Sequence, residues 1–513
     1  MSMNRLYNAM ASQNTYKTTE NGAVARTTTN SKLYDLFSFG AAYRQRTESD
    51  CVLLFKEAYQ ENPVYALKCL FYIRDIRGGQ GERRFFRTCL NWLAGYDRKA
   101  VLRNLDQIAE YGRWDDLYAL VGTPCEHEAL YALGKQLALD YKTKGAISLA
   151  GKWAASENAS SAKTKRYGRL TAHTMGLTSR QYRVLLSTLR ERIRVLERLM
   201  SANRWNEIEF DKIPSRAGLI YKNAFARRDL IKAKYEAFAK DTTTKVNAAA
   251  LYPYDVVAKA IKLMGSAYGW YGRGRGSYVA LDNTDRLMIN KYWENLTDYF
   301  HGMSLNALVV ADTSGSMTSG AGSVAPIDVA VSLALYAAER NKGPFANSYI
   351  SFSRTAKFVE TNGVDFCDKV DRIVKTNLCE NTNLQSVFDL VLNTAIRNHL
   401  QQADMPESIV IISDMEVDAM QGYSSWRGDA PGMKGVQTFI DKIRNTWSYH
   451  GYKLPKLVLW NVNARNNTVL DAGPDVSCVS GCSPVIFEMV MSGKTGYMLM
   501  MEKLDSARYS AIH

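Results

Sequence analysis

Residues 305–317, LNALVVADTSGSM, constrain the fold more than any other stretch of the chain. Leu305, Ala307, Leu308, Val309, Val310 and Ala311 form an apolar run that ends at once on Asp312, Ser314 and Ser316. A short apolar run bounded by turn residues reads as a buried strand of a parallel sheet. In such sheets ligands sit where strands end and loops begin. One carboxylate and two hydroxyls at alternate positions, around the small Gly315, can turn their oxygens toward one point. Oxygen ligands of this kind suit magnesium, manganese or calcium. The same small polar residues also make ordinary turns. Two later stretches favour the metal. SIVIISD (408–414) repeats the design, an apolar strand followed by Ser413 and Asp414. ENTNL (380–384) opens the helix-like run QSVFDLVLNTAIRNHL, which places Thr382 at a helix start, where a hydroxyl can cap or bind a metal.

Strand–Asp-x-Ser-x-Ser, loop–Thr, strand–Asp, in that order, resembles the metal-ion-dependent adhesion site of a von Willebrand A domain. The resemblance covers residues 303–513. It implies that Asp312, Ser314, Ser316, Thr382 and Asp414 coordinate a divalent cation, Mg²⁺ first, with Mn²⁺ or Ca²⁺ as alternatives. Two aspartates leave part of the ion's charge uncompensated. Coordination then stays open for water or for a partner's carboxylate or phosphate.

A chain of 513 residues exceeds one ordinary core, so two or three domains are expected. No run of 18 apolar residues exists, so no membrane span is indicated. The opening stretch, MSMNRLYNAMASQNTYKTTENG, has no apolar centre and does not read as a secretory signal. The eight cysteines are scattered, and neither Cys478 nor Cys482 has the neighbours that zinc spacing needs. Buried thiols in a reducing, cytoplasmic setting are expected. Charge is uneven. Residues 301–513 hold 18 Lys and Arg against 21 Asp and Glu, and residues 1–300 hold 47 against 30. The basic character belongs to the first part, which suggests a polyanion partner there.

Residues 1–30 read as a flexible polar arm, and helical patterns dominate residues 31–302. The stretch 265–283, GSAYGWYGRGRGSYVALDN, reads as a loop inside that region. Short helix pairs without a clean period fit an irregular, HEAT-like helical solenoid or ring. From about residue 303, strands and helices alternate, which predicts a doubly wound, Rossmann-like α/β domain with a parallel sheet. A long loop follows Asp414, and its Asp418 and Trp426 are candidates to meet a partner.

Three stretches concentrate positive charge. RDIRGGQGERRFFR (74–87) sets Arg74, Arg77, Arg83, Arg84 and Arg87 around a glycine turn. KTKRYGR (163–169) offers Lys163, Lys165, Arg166 and Arg169 beside Tyr167 with no acid among them, and His173 follows. TSRQYRVLLSTLRERIRVLERLM (178–200) is predicted as one helix with Arg180 at its start and Arg183, Arg190, Arg194 and Arg198 on a polar face. Arginines on a helical scaffold suit an RNA backbone and stacked bases. Glu191 and Glu197 equally permit a solvated, salt-bridged face on the last of these. In YGRWDDL (111–117), the plainer expectation is Trp114 in a helix core with Asp115 or Asp116 as a cap.

RDIRGGQGERRFF, YGRWDDL and the 178–230 region are similar to the helical-repeat (TROVE) module of Ro-type ribonucleoproteins. A related family with the same order, TROVE-like helices and then a von Willebrand A domain, is closer still. The resemblance implies a helical ring closed by the A domain. It also implies RNA partners, either single-stranded 3′ ends or small structured RNAs, on basic surfaces.

No catalytic set is recognised, and DTSGSM lacks the lysine and glycine spacing of a P-loop. The expected protein is therefore a non-enzymatic RNA-binding scaffold. The rival is a metal-dependent protein-interaction module without RNA, docking an acidic partner or an AAA+ machine. A metal-dependent nuclease would need Glu416 or Asp418 beside Asp312 and Asp414.

Overall fold

In the computed structural model, residues 15–265, 280–318, 325–376, 379–420 and 437–513 are described. Two strands, β1 (Tyr16–Thr18) and β2 (Val24–Arg26), pair antiparallel as a hairpin. Six more form one sheet: β3 (Ala307–Asp312), β4 (Ser348–Phe352), β5 (Ala356–Glu360), β6 (Ser408–Ser413), β7 (Lys456–Asn461) and β8 (Val476–Ser480). Their spatial order is β5-β4-β3-β6-β7-β8, parallel throughout except for the antiparallel edge strand β5.

β3 and β6 are buried along their whole lengths, as their continuous apolar runs require of central parallel strands. From β3 the chain winds outward to β4 on one side and returns to β6 on the other. The crevice for ligands therefore opens beyond the carboxyl ends of β3 and β6. The helix Pro326–Arg340 packs on β3, β4 and β6, and the helix Gln385–Arg397 on β4 and β5. Among the described residues no helix is long and apolar enough to cross a membrane.

The chain divides into two units. One comprises residues 1–47 and 251–503, and the other residues 48–250 and 504–513. This division differs from the boundaries drawn at 30 and 302. Residues 15–30, expected to be a flexible arm, form the β1–β2 hairpin within the sheet unit. Arg26 exchanges backbone hydrogen bonds with Val469, and the Thr19 hydroxyl donates to the Val417 carbonyl at 2.6 Å. Tyr34 and Ser38, on the helix Lys32–Phe39, bond the backbone of Cys478 in β8. Turn signals in a polar stretch report local conformation. They carry no information about a distant partner strand. The residues between 265 and 283 lie largely outside the described set, as does Trp426.

The helical unit begins with three mutually packed helices, Glu48–Glu61, Pro63–Arg74 and Arg83–Tyr96. Asn62 caps the second with Pro63 at its first position, and the Glu82 carboxylate caps the third. The turn between them holds Gly79, where a Cβ would collide with the Tyr72 carbonyl. The expected single helix over 178–200 is in fact two, Ser179–Arg192 and Leu196–Ser201. The break falls at Arg194, whose φ of +54° no helix tolerates.

Candidate functional site: an oxygen-lined notch and a basic helix

Asp312 closes β3 and is completely buried. Its Oδ1 accepts the Ser314 amide at 2.9 Å, which curls the chain into a short 3₁₀ turn, Gly315–Thr318. Its Oδ2 accepts the Ser413 hydroxyl at 2.5 Å, joining the ends of β3 and β6. The Ser314 and Ser316 hydroxyls stand 3.2 Å apart. Asp414 follows Ser413, is equally buried, and accepts a bond from the Ser316 hydroxyl. The loop carrying Thr382 is tied to the same place, because the Gly315 amide donates to the Glu380 carbonyl at 2.8 Å. Thr382 does not start its helix as expected. It lies before the first turn, where Asn383 takes the capping bond from the Ser386 amide. Its hydroxyl is buried and is approached by the Asn21 amide at 3.5 Å.

The five oxygen-bearing residues singled out from the sequence are thus positioned by two adjacent strand ends and one neighbouring loop. Burial, then the nearby Asp414 charge, pushes the Asp312 carboxyl up to about 7. Burial also raises Asp414, against the pull of Arg465. Two buried carboxylates with the Ser314 and Ser316 hydroxyls hydrogen-bonded to them, and the loop of Thr382 alongside, make a set of hard oxygen donors, a chemistry that fits a small divalent cation. Among the described residues no group of three or more His, Cys, Asp or Glu side chains is arranged to hold a metal ion.

Sequence reasoning missed Arg465. Its guanidinium bonds Asp414 Oδ2 at 2.9 Å and Glu20 at 2.8 Å. No local pattern around Arg465 announces this, since its partners are 51 and 445 residues away. Glu416, the candidate base of a nuclease, is fully buried. Its oxygens accept from the Thr468 hydroxyl at 2.6 Å and the Glu20 amide at 2.7 Å. Asp418 donates its amide to the Thr382 carbonyl, and burial raises its carboxyl.

The basic residues of the helical unit divide by what they touch. Arg77 pairs with Glu110. Arg87 bonds Asp115 and Asp116; burial opposes its charge, but those carboxylates outweigh it. Asp116 also takes Arg74, and Asp115 takes Arg113, which lies 3.9 Å over the Trp153 ring. The two aspartates of YGRWDDL therefore anchor three arginines, and Asp116 caps its turn as well. Trp114 is only half-buried, and is not the core residue expected. Arg83 is exposed, yet partial loss of water around it, and then the charges of Arg113 and Arg87, lower its basicity. Arg84 is half-buried.

The helix Ala162–Thr174 contains no acid. Lys163, Arg166, Arg169 and His173 recur every three or four residues on its exposed face, with Lys165 half-buried. Among the described residues, Lys163, Lys165, Arg166, Arg169 and Arg180 have no carboxylate partner. Tyr167 stacks on Tyr118 with ring centroids 4.8 Å apart, and the Lys163 ammonium sits over the Tyr167 ring. Arg183 is exposed and touches Glu157 only at 4.0 Å. The other arginines of the predicted stripe are engaged. Arg190 bonds the backbone of Gly151 and Ala154, Arg194 pairs with Glu209, and Arg198 with Glu191. For that stretch the salt-bridged alternative holds.

Two family descriptions match. Domain of unknown function (DUF2828) matches residues 19–138 and 157–301, and Domain of unknown function (DUF7788) matches residues 306–508. The chain is 28% identical over 493 residues to Uncharacterized protein L728 of Acanthamoeba polyphaga mimivirus, covering 88% of this chain and 80% of that one. It also resembles the crystal structure of the Deinococcus radiodurans RO (RSR) protein, at 15% identity and a TM-score of 0.39, over 93% of this chain and 99% of that one.

Proposed function

We propose, for a chain that belongs to the family described as Domain of unknown function (DUF2828), the role of a non-enzymatic, cytoplasmic RNA-binding scaffold with a divalent-cation notch. The observation that carries the RNA reading is the exposed face of Ala162–Thr174. Cations without acidic partners recur there at helical spacing, while Arg74, Arg77, Arg87, Arg113, Arg194 and Arg198 elsewhere in the unit pair with carboxylates. An arginine tied to an aspartate has little charge to offer a phosphate, whereas Arg166 and Arg169 offer theirs whole. Arg180 and Arg183, exposed at the start of the next helix, extend the same chemistry. The ligand is RNA, as single-stranded ends or a small structured RNA, captured by electrostatic attraction with no bond made or broken.

In the sheet unit, Asp312, Asp414, Ser314, Ser316 and Thr382 would hold Mg²⁺, with Mn²⁺ or Ca²⁺ as substitutes. Bound there, the ion supplies an open coordination position for an acidic group. The chain's own residues orient that position. Ser413 and the Ser314 amide fix Asp312, and the Glu380 carbonyl fixes the serine loop.

The test is fluorescence anisotropy with labelled single-stranded and hairpin RNA across a NaCl series. The logarithm of affinity should fall steeply with the logarithm of salt, with a slope of about −0.7 for each single-strand phosphate neutralised. Replacing Lys163, Lys165, Arg166 and Arg169 together by Ala should weaken binding and flatten the slope. Affinity unmoved by salt rejects the reading.

The buried oxygen set favours a second reading, metal-dependent docking of an acidic protein partner, such as an AAA+ machine, without RNA. Under it the quadruple alanine variant keeps its activity and Asp312→Ala with Ser314→Ala loses it.

A further inference from the structure

Arg465 is an unusual neighbour for a cation notch, because it brings a full positive charge to a carboxylate that a divalent ion would need. It follows β7, beyond Asn463, and its side chain is about one-quarter exposed. One terminal nitrogen bonds the buried Asp414 at 2.9 Å and the other meets Glu20 at 2.8 Å. Its Nε–H is buried and has no hydrogen-bond partner. The guanidinium is thus held by two ion pairs and leaves a third donor unused.

Glu20 sits in the turn of the β1–β2 hairpin, and that turn rests on the loops that build the notch. The Glu20 amide donates to the Glu416 carboxylate at 2.7 Å, and Asn21 Nδ2 donates to the Glu416 carbonyl at 2.7 Å. The Ala419 amide donates to the Asn21 carbonyl at 3.0 Å. Asn466, next to Arg465, donates to the other Glu20 oxygen at 2.8 Å. One guanidinium therefore links a notch carboxylate to a carboxylate of the hairpin.

We propose that Arg465 is the resident counter-ion of the notch, which a divalent cation displaces from Asp414 onto Glu20, so that cation capture and the grip on the hairpin turn are coupled. This rests on the cation reading of the notch. The physical reason is charge exclusion. A dication held by Asp312 and Asp414 repels a guanidinium on the same carboxylate, and Glu20 is the anion already in place to keep it. Arg465 therefore sets how tightly the notch holds its ion, and Glu20 lowers the penalty of moving Arg465 aside.

The experiment is calorimetric titration of the full chain with MnCl2 and with MgCl2, with Asp312→Ala as the control. Arg465→Met should tighten cation binding about tenfold, a coupling of ordinary size for charges in direct contact. Arg465→Lys keeps the charge but cannot bridge both carboxylates, and should tighten binding by less. Glu20→Gln should weaken binding in the native background and have no effect in the Arg465→Met background. An unaltered or weaker affinity in a folded Arg465 variant overturns the proposal, as does a Glu20→Gln effect that persists without Arg465. If neither the native chain nor Arg465→Met takes up either ion, the cation reading fails, and this inference with it. If native binding is lost in Asp312→Ala but indifferent to Arg465, only the inference fails.

Discussion

The Ser413 hydroxyl donates to Asp312 Oδ2 at 2.5 Å, fastening together the ends of the two central strands that flank the crevice. Asp312 is therefore fixed before any ligand arrives, and its replacement by a neutral isostere separates folding from binding. Asp312→Asn keeps an oxygen for the Ser314 amide and removes one of two buried like charges. The variant should melt no lower than the native chain without cation, and should lose the rise in melting temperature that excess MgCl2 gives the native chain. Thermal scans with and without MgCl2 check both halves.

Arg74 is almost wholly buried and bonds Asp116 through two nitrogens, each at 2.7 Å. Asp116→Ala leaves that guanidinium, and part of Arg87, without an anion. Breaking a buried pair from one side costs about 3–5 kcal/mol. Urea unfolding of the variant, followed by helical circular dichroism, should show an unfolding free energy lower by that much, read as a lower midpoint. Asp116→Asn, which can still accept hydrogen bonds, should lose less.

Burial raises the Asp115 carboxyl, but Arg87 and Arg113 outweigh it, and the group ends below its ordinary value of 3.8. A carboxylate depressed in the folded state stabilises above its unfolded pKa, and that contribution vanishes as pH falls through the lowered folded value. Asp115→Asn should therefore be less stable than the native chain at pH 7. The gap should close as pH drops below about 4, the unfolded carboxylate range. Denaturation midpoints at pH 7, 5 and 3 test this sign. A gap that widens in acid contradicts the assignment.

Arg198 bonds Glu191 and the Ser187 hydroxyl, and Arg204 bonds Glu191 and Glu207. Their charge is already matched, and exposed pairs of this kind contribute little to stability. Arg198→Ala and Arg204→Ala should leave RNA affinity within experimental error of the native chain. Arg166→Ala and Arg169→Ala should each lower it, and the comparison needs a single salt concentration.

The Asp75 carboxylate is fully buried and receives Arg508 at 2.8 and 2.9 Å, with the Tyr509 hydroxyl at 3.1 Å. Tyr509 stacks on Tyr111 with centroids 5.6 Å apart. Arg508→Ala should destabilise the helical unit by about 3 kcal/mol, because a buried carboxylate loses its counter-ion. Chemical denaturation of the full chain checks it.

The chemistry-bearing part of the notch was legible in the sequence because strand periodicity and a following Asp or Ser are local. Leu308 to Ala311 and Ile409 to Ile412 are apolar because both faces of a central parallel strand are covered, and the residue ending such a strand must face the crevice. The strand Val476–Ser480 was not legible. Its serines and cysteine read as polar, yet the helix Lys32–Phe39 covers them and bonds their backbone. Likewise the stripe Arg183, Arg190, Arg194, Arg198 looked continuous on a helical projection, and the left-handed backbone at Arg194 divides it.

By itself, then, the sequence determined the order of the two structural classes, the strand ends that carry Asp312 and Asp414, and an acid-free basic stretch at residues 163–169. Each depends on neighbours within a few residues. Only the tertiary structure decided which cations remain unpaired, that residues 15–30 join the sheet unit, and that Arg465 stands against Asp414. Those facts depend on groups brought together from hundreds of residues apart, and the energy of a charge is set by what surrounds it in space.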